Sequence, residues 1–192
     1  MSLRIGIVTR MTLALCVWFV GFHASPAIAQ QPNVEFTVSG TSTVRGWTCS
    51  VSGVAVVTPG SGSSKPAPGF SNGVQTVTMT VPVKTFKCPN DEMTQHLMEA
   101  MKPEKFPVIV YRLEKYEVGN RQTQTTGTLT IMEKTQPISL PIALTASPQG
   151  VQIEGNTRID MTTFGVEPPV VMLGLLKVGP QIRIEFKGLV AR

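Results

Sequence analysis

Four side chains on one predicted helix have the types and spacing that could support metal chemistry. Met93, His96, Met98 and Met101 fall within three helical turns, and a mixture of thioether and imidazole ligands suits Cu(I). His96, however, is the only histidine that follows the first 29 residues. On a helical wheel it also turns away from Met93 and Met101. We therefore predict a solvated histidine and no bound metal.

Cys49 and Cys88 are the two cysteines that remain if a leader containing Cys16 is removed. An even pair in an exported protein favours a disulfide, and closing a loop of this length would stabilise the fold by roughly 3–4 kcal/mol. Redox or nucleophilic thiol chemistry is the alternative, but it lacks a Cys-x-x-Cys spacing and a neighbouring histidine. We predict a Cys49–Cys88 disulfide.

The motifs of hydrolytic and phosphoryl-transfer enzymes are missing from the sequence. It contains no Gly-x-Ser-x-Gly, no Ser/His/Asp set and no Gly-Lys-Ser/Thr loop that would bind a phosphate. Asp91 and Glu92 have the positions of helix-capping residues, and Asp160 is expected to hydrogen-bond to the backbone of the following loop. We predict no catalytic residues, no cofactor and no enzyme activity. Only a polar cleft in which His96 meets a carboxylate would revive an enzymatic hypothesis.

The first 29 residues have the pattern of a secretory signal peptide. Arg4 and Arg10 precede a short apolar run from Met11 to Phe22, and Ala27-Ile28-Ala29 forms a small-x-small cleavage site. The apolar run is shorter than the roughly 20 residues that a spanning helix needs. We predict cleavage after Ala29, export to the periplasm or the exterior, and a mature chain that does not span the membrane.

Residues 30–192 have the length of a single domain with one core. Loss of the two leader arginines lowers the formal net charge of +5 by two. The remaining basic residues are scattered singly, without a basic cluster that carries interleaved aromatics. We therefore predict no nucleic-acid partner.

Alternation of apolar and polar residues dominates this domain. Between Val151 and Met161 the apolar residues occupy odd positions, and between Gln181 and Lys187 they occupy even positions. A period of two indicates strands with one dry face. About eight such strands, mostly joined by short turns, predict an up-and-down β-barrel or a β-sandwich.

One α-helix is predicted between Asn90 or Asp91, either of which is a good N-cap, and Pro103. Met93, Leu97 and Met101 lie on its apolar face at helical spacing. Because that face must be buried, we expect the helix to cover a barrel mouth or a groove beside the sheet.

Three departures from regular alternation predict local irregularities. The Gly-, Ser- and Pro-rich stretch from Thr58 to Asn72 predicts a mobile surface loop. A change of phase near Glu114-Lys115 predicts a bulge or bend. Pro82 and Pro141 cannot donate to a ladder, so the barrel is expected to be open or kinked beside them.

Several short stretches then occur in an informative order and spacing. They are Phe36-Thr37-Val38-Ser39-Gly40-Thr41-Ser42-Thr43-Val44 with Trp47, Val81-Pro82-Val83, Met98-Glu99-Ala100-Met101-Lys102 with Phe106-Pro107-Val108-Ile109, Gly127-Thr128-Leu129-Thr130-Ile131, Leu140-Pro141-Ile142, and Met161-Thr162-Thr163-Phe164-Gly165-Val166 with Pro168-Pro169. Together they resemble the YceI-like family of lipid- and polyisoprenoid-binding proteins across essentially all of residues 30–192.

The resemblance implies an all-β fold: an elongated, lipocalin-like antiparallel β-barrel of about eight strands with one inserted α-helix. It also implies an apolar tunnel for a long isoprenoid or acyl chain, and an exported, often periplasmic protein that is not an enzyme. This chain has Arg45-Gly46-Trp47 where many relatives place a histidine before the tryptophan. Paired cysteines also occur in only part of the family.

The inward-facing candidates are mostly slender or flexible apolar side chains, with few large aromatics. We predict that the ligand contacts the following residues: Phe36, Val38, Trp47, Met79, Val81, Met93, Leu97, Met101, Ile109, Tyr111, Leu113, Ile131, Ile153, Met161, Phe164 and Ile184. The helix from Asp91 to Met101 and the segment from Phe164 to Leu176 are expected to shape the mouth. Within that segment, Phe164-Gly165-Val166 and Pro168-Pro169 are expected to form a rigid apolar edge beside the entrance.

Two functional hypotheses follow. The first is an exported carrier that encloses a long-chain lipid or isoprenoid and contacts a membrane surface only transiently. The second is a disulfide-stabilised β-sandwich or barrel with a filled core, which acts as an envelope-stress or protein-interaction module. Internal volume discriminates between them. The oligomeric state stays open, with a homodimer as one option.

Overall fold

The computed structural model describes residues 33–61 and 64–191. The predicted signal peptide and its cleavage site therefore lie outside the described residues. The strands are β1 Val34–Ser42, β2 Gly46–Pro59, β3 Val74–Pro82, β4 Val108–Val118, β5 Thr123–Ile131, β6 Lys134–Ser147, β7 Gly150–Asp160, β8 Val170–Val171 and β9 Leu176–Val190. The helix α1 spans Asp91–Met101, and short 3₁₀ turns span Val83–Thr85, Met161–Phe164 and Met172–Gly174.

Antiparallel pairing runs from each strand to the next from β1 to β7, then from β7 to β9. β9 also pairs with β1, from Val34 opposite Gly188 to Ser42 opposite Val178, which closes the sheet on itself. β8 is a two-residue strand on β9 alone. The protein is thus a closed eight-stranded antiparallel barrel with one helix. The predicted fold class is confirmed, and the sandwich alternative is wrong because β1 and β9 leave no open edge.

The barrel has a closed end and a mouth end, which the strand directions define. Asn33, the β2–β3 connection, the β4–β5 and β6–β7 turns and Val190 lie at the closed end. The β1–β2 turn, α1, the β5–β6 turn and the two later 3₁₀ turns lie at the mouth end. The backbone N–H of Leu189 donates to the carbonyl of Asn33 at 3.0 Å, so the first and last strands meet there.

Alternation along the strands separates a dry interior from a wet exterior. In β7, Val151 and Ile153 are buried while Gln152 and Glu154 are exposed. Gly155 continues the inward phase, and a Cβ there would lie 2.5 Å from Cζ of Phe186. Glycine is therefore required at this position because the Phe186 ring occupies the space of a side chain.

The predicted bulge in β4 is confirmed. Leu113 faces Gly127 on β5, whereas Lys115 faces the adjacent Thr126, so one residue of β4 has no partner across the ladder. The extra residue changes the phase of alternation. As a result Tyr111 and Tyr116 both turn toward the interior, where they belong to or pack against the same core cluster.

Pro82 and Pro141 mark the two places where the ladders separate, as expected. β2 and β3 pair only from Val54 opposite Thr80 toward the closed end, and Pro82 is the last residue of β3. β6 and β7 pair only as far as Ile142 opposite Gly155, next to Pro141. Because proline has no N–H to donate, a continuous ladder is disfavoured at these points. Both separations face the mouth end.

The predicted mobile loop after β2 is wrong for the part that the structure describes. β2 itself continues to Pro59. Beyond it, Ala67 and Phe70 are buried in the core and hydrogen-bond to each other through their backbones. The Tyr116 hydroxyl accepts a hydrogen bond from the backbone N–H of Val74 at 3.0 Å and donates one to the carbonyl of Lys65. This segment therefore covers the closed end of the barrel.

Helix α1 forms where the sequence predicted it. Asn90 is the N-cap, and its Oδ1 accepts the backbone N–H of Met93 at 2.8 Å. Asp91 and Glu92 lie in the first turn, where acidic side chains are favoured. The helix ends at Met101, and Lys102 adopts a left-handed conformation with φ 50° before Pro103.

Candidate functional site

An apolar cavity of about 420 Å³ occupies the mouth half of the barrel. Side chains from the strands form its walls, and α1 lies across it. Most of the residues predicted to contact a ligand line this cavity: Phe36, Val38, Trp47, Met79, Val81, Met93, Leu97, Met101, Ile109, Tyr111, Ile131, Met161 and Ile184. Whether they contact a ligand stays a prediction.

Three other predicted residues do not line the cavity. Leu113 and Ile153 lie toward the closed end and pack into its core cluster. Phe164 is only 3% exposed and packs beside Met161 and Val166 in the wall of the mouth half. The period-two pattern predicts which face of the sheet a residue occupies, but it does not predict how far along the barrel axis the residue lies.

The prediction also missed several lining residues. Ile138 and Leu140 share the alternation of β6, and Ile182 and Phe186 share that of Ile184 on β9. Their inward phase could have identified them from sequence. Phe86 carried no such signal, because it lies in an irregular segment between β3 and α1.

Three aromatic side chains form the floor of the cavity, where it meets the filled closed end. The rings of Phe36 and Phe186 lie 6.0 Å apart and are tilted by 38°. The Tyr111 hydroxyl donates a hydrogen bond to Oγ1 of Thr125 at 3.3 Å. The Thr125 hydroxyl in turn donates to the carbonyl of Leu140 at 2.9 Å. Burial raises the pKa of Tyr111. The floor is therefore apolar, with its polar groups satisfied within the protein.

The mouth carries most of the polar groups of the cavity. They are Ser42, Arg45, Asn90, Glu92 and His96, whereas Thr157, opposite Ile184 on β9, lies deeper in the barrel. His96 is half-buried and lines the cavity at this opening, so it turns less far from the cavity than the helical wheel predicted while staying partly exposed to solvent. Within residues 33–61 and 64–191, no hydrogen bond or ion pair joins His96 to a carboxylate. The arrangement that an enzymatic hypothesis required is not formed there.

Helix α1 closes the gap that β2 and β3 leave at the mouth. Met93, Leu97 and Met101 turn toward the cavity, whereas Met98 packs beside it without lining it. The predicted Cys49–Cys88 disulfide is formed, and it ties the segment before the helix to β2. Beside it, Ser50 and Lys87 exchange two backbone hydrogen bonds of 2.8 Å.

The helix residues considered as copper ligands are only partly brought together. Met93, His96 and Met101 line the cavity, and Met98 does not. Across the described part of the chain, no three His, Cys, Asp or Glu side chains are grouped in a way that could hold a metal ion.

A 3₁₀ turn over Met161–Phe164 covers the second gap, between β6 and β7. Asp160 stabilises this turn through two hydrogen bonds. Its Oδ1 accepts a hydrogen bond from the backbone N–H of Thr162 at 2.9 Å, and its Oδ2 accepts one from Nε2 of Gln181 at 2.9 Å. Hydrogen bonds from the side chain and backbone of Thr162, then from Gln181, hold the pKa of Asp160 below its ordinary value of 3.8. The predicted structural role of Asp160 is confirmed.

The segment after this turn differs from the prediction only in which of its residues are exposed. Val166 and Pro169 line the cavity, but Phe164 and Val166 are buried within the wall. The exposed apolar residues lie further along the chain, at Val170, Leu173 and Leu175. Among the helices that the structure describes, none is long and apolar enough to cross a membrane.

A family model described as "YceI-like domain" matches residues 27–189 of the chain. No curated protein matches the sequence. Solved structures do: Burkholderia cenocepacia BcnA superposes with a TM-score of 0.65 at 14% identity, over 80% of this chain and 94% of BcnA.

Two further structures share the fold. A polyisoprenoid-binding domain from Saccharophagus degradans, implicated in plant cell wall breakdown, matches with a TM-score of 0.58 at 11% identity, covering 82% of this chain and 93% of that one. The Campylobacter jejuni YceI protein matches with a TM-score of 0.53 at 18% identity, covering 95% of this chain and 98% of its own.

Proposed function

The chain belongs to the YceI-like domain family, and on that premise we propose that it is an exported carrier of a long-chain apolar molecule. The ligand is a polyisoprenoid or a fatty-acid-like lipid, enclosed in the cavity of the mouth half. The protein binds this molecule without changing it chemically, and it acts in the periplasm or outside the cell after loss of the leader that ends at Ala29.

The observation that carries the proposal is the cavity itself. At about 420 Å³ it falls within the size range of small-molecule sites, and its walls are almost entirely apolar side chains. Transfer of each CH₂ group from water to such walls is favourable by about 0.8 kcal/mol. A filled core, which the protein-interaction hypothesis requires, would not leave this space.

The chemistry of the lining supports a flexible ligand rather than a rigid one. Met79, Met93, Met101 and Met161 contribute unbranched thioether side chains that adapt to varied apolar shapes. The likeness to the Saccharophagus degradans polyisoprenoid-binding domain supports the same ligand class. The polar groups at the mouth leave room for a head group near solvent.

Native mass spectrometry and lipid extraction of the purified protein test the proposal directly. We expect a bound lipid that leaves on delipidation, and a cavity that then binds an apolar fluorescent probe. A protein that carries no lipid and binds no apolar probe would refute the carrier function and favour an interaction module.

A pair of matched substitutions locates the binding. Met93→Trp extends a larger side chain from α1 into the cavity, so we expect loss of probe binding with little loss of stability. Ile153→Trp inserts the same side chain into the filled closed end, where overpacking should lower the free energy of unfolding by about 1–3 kcal/mol. Equal destabilisation by both, with probe binding unchanged in Met93→Trp, would contradict the proposed site.

A further inference from the structure

The most exposed apolar side chains of the described residues cluster around the cavity mouth. Val44, Val170, Leu173 and Leu175 are 67%, 59%, 107% and 77% exposed, and we refer to these four residues as the apolar rim. The other large exposed apolar side chains are only 39–44% exposed. Exposed apolar residues that cluster together indicate an interaction surface, whereas single ones do not.

Hydrogen bonds join the two segments that carry the apolar rim. Oγ1 of Thr43 donates to the carbonyl of Leu175 at 2.9 Å, and the backbone N–H of Thr43 donates to the carbonyl of Lys177 at 3.0 Å. Val44 is therefore held beside Leu175. The rim is a single surface formed by the β1–β2 turn, β8 and the connection from β8 to β9.

The apolar rim is continuous with the cavity. Arg45 and Leu176, which line the cavity, directly follow Val44 and Leu175 in the chain, and Pro169 directly precedes Val170. On this side the cavity lining combines the apolar Pro169 and Leu176 with the polar Ser42 and Arg45. The polar groups Asn90, Glu92 and His96 belong to α1.

Leu173 shows that this exposure is not required by the fold. It adopts a left-handed conformation, with φ 54° and ψ 33°, and Gly174 follows with φ 93°. Glycine or asparagine suits the left-handed region better than leucine, and the fully exposed side chain gains no packing within the chain. Within residues 33–61 and 64–191, no side chain covers Leu173.

We propose that the apolar rim docks onto the surface of a lipid bilayer and holds the cavity mouth against it. Val44, Leu173 and Leu175 insert at the interface, while the exposed Arg45 and Lys177 lie beside them and attract anionic head groups. Glu92 at the mouth and Glu167 in the adjoining loop oppose this attraction. Apolar insertion is therefore the main contribution, and anionic lipid strengthens it.

The inference rests on the proposed function, because a bilayer is the source and the destination of a long-chain lipid. A cavity mouth that touches the bilayer lets the ligand pass between apolar environments without crossing water. A ligand that had to enter from free solution would instead expose its whole chain to water.

Vesicle flotation tests the proposal. The purified protein is mixed with vesicles of phosphatidylcholine, with or without phosphatidylglycerol. We expect binding to both, and stronger binding with phosphatidylglycerol. The double variant Leu173→Asn/Leu175→Gln should lower the partition coefficient at least about tenfold, and asparagine keeps the left-handed turn accessible. The matched control Val118→Gln/Leu189→Gln changes exposed apolar residues at the closed end and should bind as wild type.

Light scattering distinguishes a bilayer from a second copy of the chain. Failure of the wild-type protein to bind vesicles of either composition overturns the proposal. Equal vesicle binding by the rim variant and the wild type also overturns it. The proposal is also overturned if the wild-type protein is a dimer that does not bind vesicles while the rim variant is a monomer. That result would assign the rim to self-association.

Probe binding in vesicle-free solution separates this inference from the proposed function. If the rim variant binds the apolar probe as wild type does but floats poorly with vesicles, both proposals stand. Wild-type protein that binds vesicles through the rim but never binds lipid or probe refutes the carrier function alone.

Discussion

The closed end and the mouth end of the barrel are built from the same strands, yet one is filled and the other is hollow. At the closed end, adjacent strands pair fully, and the segment carrying Ala67 and Phe70 seals the opening. At the mouth end, β2 separates from β3 and β6 separates from β7. Helix α1 and the turn over Met161–Phe164 cover those gaps from outside.

The difference shows that a cavity can arise where a ladder is interrupted. Next to Pro82 and Pro141 the ladders between β2 and β3 and between β6 and β7 end, so the wall is open there between neighbouring strands. The segments that cover the gaps contribute flexible side chains such as Met93, Met101 and Met161. The closed end instead receives aromatic rings that fill the interior. The three predictions that follow probe this contrast, in order of decreasing effect.

Truncating one phenylalanine at each end of the barrel should lower the free energy of unfolding by unequal amounts. Phe70→Ala leaves a void in a filled core, and we expect it to lower the free energy of unfolding by about 3–5 kcal/mol. Phe86→Ala removes an equally buried ring that already borders empty space, so fewer contacts are lost. We expect its cost to be smaller by about 1–2 kcal/mol. Urea denaturation of both variants measures the difference, and equal costs would break the contrast between the two ends.

Removing the disulfide should weaken the mouth end selectively. Replacing Cys49 and Cys88 by alanine opens a covalent loop with a sequence separation of 39 residues, which should lower the free energy of unfolding by roughly 3–4 kcal/mol. Hydrogen exchange should rise in residues 83–101, because the disulfide and the Ser50–Lys87 hydrogen bonds hold that segment to β2. Exchange at the closed end, in β7 for example, serves as the internal control. Uniform loss of protection across the barrel would contradict a local role.

Low pH should destabilise the 3₁₀ turn over Met161–Phe164, which covers the β6–β7 gap, because Asp160 becomes protonated. Its pKa in the folded protein lies below the ordinary value of 3.8, so its stabilising contribution is complete above that pH and is lost as the pH falls through the lower, folded value. Asp160→Asn should show a slightly lower Tm at neutral pH and less acid sensitivity below pH 3.8 than wild type. Because Asp160 is exposed to solvent, this effect should be the smallest of the three. Thermal scans from pH 2 to pH 7 measure it, with Glu154→Gln on the same strand as the control.

Local sequence features predicted the strands and the helix well. The alternation in β7 and β9, the Asn90 cap and the phase change before Tyr116 each have a local cause, so each is readable from a few residues. Closure of the barrel by β1 and β9 depends on pairing between the two ends of the domain. The family resemblance supplied that part of the prediction.

Depth along the barrel axis was the part of the site that local patterns could not provide. Leu113 and Ile153 face inward as predicted, but they lie below the aromatic floor formed by Phe36, Tyr111 and Phe186. The burial of Phe70 was also missed, since one aromatic in a Gly- and Ser-rich stretch has no periodicity. His96 lies closer to the cavity than the helical wheel predicted, because a wheel does not include the neighbouring strands.

The meeting of Asn33 and Leu189 at the closed end has a practical consequence. Any tag, fluorescent protein or surface linker attached after Val190 points away from the cavity. Molecules immobilised in this way would present their openings uniformly outward, as biosensing on a chip requires. The same proximity suits circular permutation: a short linker could join the two ends, and new termini could be cut in the β4–β5 turn, leaving the opening unaltered.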